Sequence, residues 1–182
     1  MSNTSEHYSL IINKCKDIFI KKMKDYGSSW RILKPTSLTD QIFIKAKRIS
    51  TIQENKSQKI EEDIGSEYIG IINYCVIGLI QLEKGNKDDL KLNANDALQL
   101  YEKFVDAAKL LMEKKNHDYG EAWRDMRVSS LTDLILVKLL RVKQIENNEG
   151  ETIISEGIDA SYYDIINYAI FAMIRLDELA EA

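Results

Sequence analysis

The sequence predicts an all-α protein made of two tandem three-helix units packed as a pseudo-twofold helical bundle. Three observations carry this. Turn chemistry is scarce, with one proline and eight glycines in 182 residues, whereas an all-β fold needs a turn signal about every dozen residues. Hydrophobic residues make up 45% of the chain and recur at helical spacing. The chain also matches itself at a constant shift of 93 residues, which lays Asp25-Tyr26-Gly27 on Asp118-Tyr119-Gly120, Trp30-Arg31 on Trp123-Arg124, and Ser37-Leu38-Thr39-Asp40 on Ser130-Leu131-Thr132-Asp133. Of the 27 positions from Tyr26 to Ile52, 12 equal their counterparts, too many for chance. After a one-residue slip Ile71-Ile72-Asn73-Tyr74 falls on Ile165-Ile166-Asn167-Tyr168. A long unit present twice reads as a fused pseudo-dimer, since solenoids repeat shorter units more often.

The first helix of each unit is expected from about Tyr8 to Lys24 and from about Asn95 to Asn116, with Gly27 or Gly120 as the stop signal. The second is expected to begin after Ser37 or Ser130, with Asp40 or Asp133 three residues on as in a capping box, and to reach about Gln53 or Glu146. The third runs from about Glu61 to Glu83 and from Ile158 to Glu178, apolar on nearly every face, which suits the centre of a bundle. Lys84 to Asn93 is polar and reads as the connector, giving units over 1–83 and 95–182 in one body with a linker over 84–94.

Composition removes several classes of function. The formal net charge is −4 and the basic residues are dispersed among acidic ones, which argues against a nucleic-acid groove while leaving room for small anions. Cys15 and Cys75 stand apart, and His7 and His117 are the two histidines, so no zinc spacing exists and the thiols suit a reducing cytoplasmic setting. No basic and apolar leader opens the sequence. The apolar stretches Ile69–Leu82 and Ile158–Leu176 contain Asn73, and Asp164 with Asn167, and neither reads as a membrane span.

Chemistry is concentrated in the second unit. Glu156, Asp159, Asp164 and Asn167 fall within one broad helical arc and could share a cleft. Either Asp159 caps the helix, Glu156 is solvated and Asp164 pairs with a neighbouring cation, or Glu156, Asp159 and Asp164 hold Mg²⁺, which takes carboxylates and bridges to phosphates. If the carboxylates crowd together, Asp164→Asn should leave the metal-free protein as stable as before or more so. Lys138 and Arg141 lie one turn apart in an apolar run, and Lys45 and Arg48 repeat them in the first unit. They are either ion-pair partners or phosphate ligands. Tyr119 either covers the bundle end or stacks on a base.

The ordered set Lys115-Asn116-His117-Asp118-Tyr119-Gly120-Glu121-Ala122-Trp123, Lys138-x-x-Arg141, then Glu156 to Asp164-x-x-Asn167-Tyr168-Ala169 resembles the nucleotide modification associated domain 1 family. That family is in turn similar to MazG-like all-α nucleoside triphosphate pyrophosphohydrolases. The resemblance implies Mg²⁺-dependent nucleotide binding, with pyrophosphohydrolysis by water as the enzymatic reading: Glu156 and Asp164 catalytic, Glu156 as general base, Glu156, Asp159 and Asp164 at the metal, and Lys138, Arg141, Asn167, Tyr119, Lys45, Arg48 and Asn73 on the nucleotide. The Glu-Glu-x-x-Glu motif of those enzymes has no clear counterpart, and Gly70 takes the place of Asp164, although Glu61, Glu62, Asp63 and Glu67 lie nearby. A non-catalytic module that binds a nucleotide or a protein is the alternative, and a second copy of the chain, in a homodimer, is a candidate partner.

Overall fold

The computed structural model describes residues 3–55, 64–85, 91–153 and 156–182. Six α-helices appear in the order α1 (Thr4–Tyr26), α2 (Pro35–Asn55), α3 (Ile64–Lys84), α4 (Ala94–Tyr119), α5 (Val128–Asn147) and α6 (Ile158–Glu181), with 3₁₀ turns at Ser29–Ile32 and Ala122–Asp125 between the first two helices of each unit. Helix is packed on its own counterpart throughout, α1 on α4, α2 on α5 and α3 on α6, which is the pseudo-twofold arrangement.

The apolar spacing explains each helix. On α1 the buried set is Tyr8, Ile11, Ile12, Cys15, Phe19 and Met23, a stripe at intervals of three and four, and α4 buries Tyr101, Phe104, Val105, Ala108 and Met112 at the shifted positions. α2 and α5 each bury one face, Leu38, Ile42, Ala46 and Ile49 against Leu131, Ile135, Leu139 and Val142. Val137, Leu140 and Arg141 are exposed, so α5 is half-buried. α3 and α6 form the centre, and Ile71, Ile72, Ile80, Ile165, Ile166, Ile170 and Ile174 are fully buried. Each such side chain contributes about 1.5–3 kcal/mol relative to exposure. α3 is long and apolar enough to cross a membrane by length and composition, yet here α2 and α6 cover it. Burial pushes the Cys15 thiol up to about 12 and raises that of Cys75 as well, so both stay protonated.

Helix ends follow local chemistry, with one correction. Gly27 (φ +61°) and Gly120 (φ +60°) close α1 and α4, their N–H groups bonding Met23 O and Asn116 O at 2.9 Å. Asn93 caps α4 by accepting from the Asp96 N–H at 2.8 Å. The expected capping boxes do not form, because α2 already starts at Pro35 and α5 at Val128, leaving Ser37 and Ser130 inside the first turn. Proline at the first helical position loses no bond, since that N–H has no intrahelical partner anyway. The third helices start at Ile64 and Ile158; Glu61, Glu62 and Asp63, and residues 86–90 of the connector, lie outside the described residues.

What the Ser-Leu-Thr-Asp repeat does supply is a buried leucine and a buried threonine. Thr39 meets the Tyr162 hydroxyl at 3.0 Å, and Thr132 meets the Tyr68 hydroxyl at 2.7 Å. A second reciprocal pair joins the units on the other side: Tyr8 donates to Asn167 Oδ1 and Tyr101 donates to Asn73 Oδ1, each at 2.7 Å. The same asparagines donate from Nδ2 to Ala108 O at 3.1 Å and Cys15 O at 3.0 Å. Burial raises the Tyr8 and Tyr101 phenols far above their ordinary value, so they remain neutral donors. Tyr8→Phe should leave the Asn167 carbonyl buried without its donor and cost about 1–3 kcal/mol in a urea melt, with Tyr101→Phe costing a similar amount at the mirrored site.

Candidate functional site

Each unit brings together the same positions: the end of its first helix, the 3₁₀ turn, the lysine of its second helix and the first turns of its third. In the first unit they enclose a cleft of about 520 Å³, lined by Phe19, Lys22, Met23 and Tyr26 of α1, Trp30, Lys45 of α2, and Gly70, Asn73, Tyr74 and Ile77 of α3. That volume is in the range of small-molecule sites. The Trp30 indole N–H donates to Met23 Sδ at 3.2 Å, and Phe19 lies tilted against the indole with centroids 6.2 Å apart. Arg31 is buried behind this wall, where its guanidinium donates to Gln81, and Gln81 Nε2 donates in return to Arg31 O and Leu33 O at 2.8 and 2.7 Å. These bonds hold the Trp-Arg turn against the end of α3.

Lys45 runs across Gly70. A Cβ at Gly70 would come 2.9 Å from Lys45 Cε and 3.0 Å from its Cδ, so the missing side chain is what lets the lysine lie there. Its ammonium is 3.5 Å from Glu67 and 5.9 Å from the Tyr74 ring centroid. Arg48 makes the closer pair with Glu67, at 2.7 Å. Lys22 is exposed at the cleft, and no hydrogen bond or ion pair reaches it from the described residues.

The second unit uses the equivalent residues differently. Asp164, at the position of Gly70, sits between Lys115 and Lys138, at 2.8 and 2.9 Å. These lysines are the counterparts of Lys22 and Lys45. Phe171, the counterpart of Ile77, stacks on Trp123 with centroids 4.2 Å apart and planes 4° from parallel. Arg124 also packs over that indole, 4.6 Å from its centroid, and bonds Glu178 and Glu121. For Lys115, partial burial works to lower the pKa, but the hydrogen bond and charge of Asp164 outweigh it and the net shift is upward.

Two regions of the chain, residues 22–82 and 115–176, match the family described as nucleotide modification associated domain 1. The chain belongs to that family, with its domain in tandem. Comparison with curated proteins and with solved structures gives no match.

The two copies of the domain place the expected site residues unequally. Lys45 and Asn73 line the first cleft, although both polar atoms of Asn73 already have protein partners. Arg48 pairs with Glu67 beside it. Lys138 and Asp164 meet each other, and Asn167, 5% exposed, is engaged by Tyr8 and Ala108 O. Tyr119, Glu156, Asp159 and Arg141 are exposed, and among the described residues no hydrogen bond or ion pair reaches Arg141. Among the described residues, no three of His, Cys, Asp and Glu stand close enough to hold a metal ion. Asp164 is neutralised by two ammonium groups, so the carboxylates as arranged do not fit Mg²⁺, an ion that needs open oxygen ligands. Lys22 and Lys115 escaped the reading of the site from sequence, yet their signal was present: lysine kept at the same shift, three residues before each Asp-Tyr-Gly.

The expectation that removing the Asp164 charge would be harmless is reversed by these partners. Asp164→Asn should lower stability by about 1–2 kcal/mol at pH 7, the lower part of the range for bonds to charged groups because Lys115 is half exposed. The folded state holds the Lys115 proton more tightly than the unfolded chain does. The difference between wild type and variant in urea melts should therefore be full below the ordinary lysine pKa and shrink as pH rises through the raised one.

Proposed function

We propose that the protein is a nucleotide-binding helical module whose ligand enters the cleft of the first unit. The observation that carries this reading is the lining itself: Trp30, Tyr26 and Tyr74 offer aromatic surface, and Lys22 and Lys45 offer positive charge, in one concave space of about 520 Å³. Aromatic faces take bases by stacking, and ammonium groups take phosphate oxygens through strong charged hydrogen bonds. Membership of a family described by nucleotide modification supports the choice of ligand class. Two buried free thiols suit a cytosolic setting for such a module.

The second reading is a Mg²⁺-dependent pyrophosphohydrolase, and the motif order that resembles MazG-like enzymes favours it. It would draw on Glu156, Asp159 and Asp164 with Lys138 and Arg141. Commitment of Asp164 to Lys115 and Lys138 weighs against it, and binding without turnover accords better with the side chains as arranged.

Titration with nucleoside triphosphates, followed by Trp fluorescence and calorimetry, tests the proposal. Binding should change the emission of wild type and of Trp123→Phe, while Trp30→Phe should lose most of the change. Lys45→Ala should weaken binding roughly ten- to a hundredfold, the equivalent of about 1.5–3 kcal/mol for a hydrogen bond to a charged group. Release of pyrophosphate that requires Mg²⁺ would move the assignment to the hydrolase reading; absence of binding across the four common bases would end the nucleotide proposal.

A further inference from the structure

The two units differ at two positions that matter to one another. Gly70 and Ile77 in the first correspond to Asp164 and Phe171 in the second. Around these positions the framework is repeated: Lys22 and Lys115, Lys45 and Lys138, Trp30 and Trp123. In the second unit the lysine pair closes on a carboxylate, and the indole is covered by a parallel ring. In the first unit Gly70 and Ile77 present neither group at these positions: Lys45 reaches Glu67, one turn earlier on α3, at 3.5 Å, Phe19 lies tilted against Trp30 with centroids 6.2 Å apart, and the lysines and indole line a cleft.

We infer that Asp164 and Phe171 are a built-in copy of the ligand. The anion that the first unit binds occupies, between Lys22 and Lys45, the place Asp164 holds between Lys115 and Lys138. Its flat ring lies on Trp30 as Phe171 lies on Trp123. One ligand therefore binds per chain, in the first unit, and the second unit is closed by its own side chains. This inference rests on the nucleotide reading above and narrows it.

The spacing of the mimic limits the ligand. Asp164 and Phe171 are seven residues apart on one helix, or about 10 Å along its axis at 1.5 Å per residue. A nucleobase joined to its anion through a sugar and more than one phosphate has that reach, whereas an aromatic acid with its charge beside the ring does not. The substrate class is thus a nucleoside di- or triphosphate, with the terminal phosphates at the lysines. Among the described residues no carboxylate pairs with Lys22 at the cleft, whereas its counterpart Lys115 pairs with Asp164 at 2.8 Å.

The test fills one site and opens the other in the full-length chain, with ADP and ATP as probes in calorimetry and a urea melt for each variant. Gly70→Asp places a carboxylate where the ligand's anion would sit. The atoms nearest to a Cβ there belong to the flexible end of Lys45, which can pair with the new carboxylate as Lys138 pairs with Asp164, so the variant should fold with about wild-type stability. Its ATP affinity should fall at least tenfold, while Gly70→Asn, of nearly equal size without the charge, should lose distinctly less. In the other direction, Asp164→Gly with Phe171→Ile should raise the stoichiometry from one nucleotide per chain to two. Wild-type binding with an unchanged affinity in Gly70→Asp would overturn the mimic and leave the nucleotide reading standing. A stoichiometry that stays at one in a folded double variant would also overturn it. Equal losses in Gly70→Asp and Gly70→Asn would show crowding in place of charge and overturn it too. No binding of ADP or ATP by wild type would remove both proposals together.

Discussion

Everything in this protein is arranged around two helices that cannot be left facing water. α3 and α6 carry apolar residues on nearly all sides, so each must be covered from several directions at once, and one three-helix unit has too few partners to do it. Packing α3 against α6 solves the problem for both, and the flanking helices α2 and α5, then α1 and α4, close the remaining faces. The duplication is thus a requirement of burial, and the pseudo-twofold axis is its geometric consequence.

Burial alone would tolerate sliding or rotation of one unit on the other, and the polar groups at the interface remove that freedom. Tyr8 to Asn167 and Tyr101 to Asn73 tie the outer helices to the opposite central helix, while Thr39 with Tyr162 and Thr132 with Tyr68 do the same for the middle helices. All of them lie in low-dielectric surroundings where an unmade bond is expensive, so a shift of register by one turn would leave several donors without acceptors. Identity between the copies is accordingly retained at these contacts even where nearby surface positions have drifted.

Where the copies are free of that constraint they have separated, and the separation falls beside the retained lysine and tryptophan framework at the bundle ends. A carboxylate and a phenyl ring complete the framework in the second unit; a glycine and an isoleucine leave it open in the first. Duplication permits this. One copy can hold the shared interface with its site filled by side chains, while the other keeps an open cleft without losing the packing that both need.

The amino-acid order by itself determined the helical class, the tandem repeat, the stop signals at Gly27 and Gly120, and the central place of the third helices, because each depends on periodicity or on the conformational preference of a single residue. It also drew attention to Lys45, Lys138 and Asp164, whose chemistry stands out in an apolar setting. Which residues these groups face was decided only by tertiary structure. Asp164 could not be seen to meet Lys115, 49 residues away in sequence, and the asparagines singled out as ligand groups proved to be engaged by tyrosines of the other unit. The same holds for Ser37 and Ser130, which resemble caps in the linear pattern yet sit inside helices that begin at Pro35 and Val128. Local signals name the elements, but a charge or an amide takes its role from partners that only packing brings within hydrogen-bond reach.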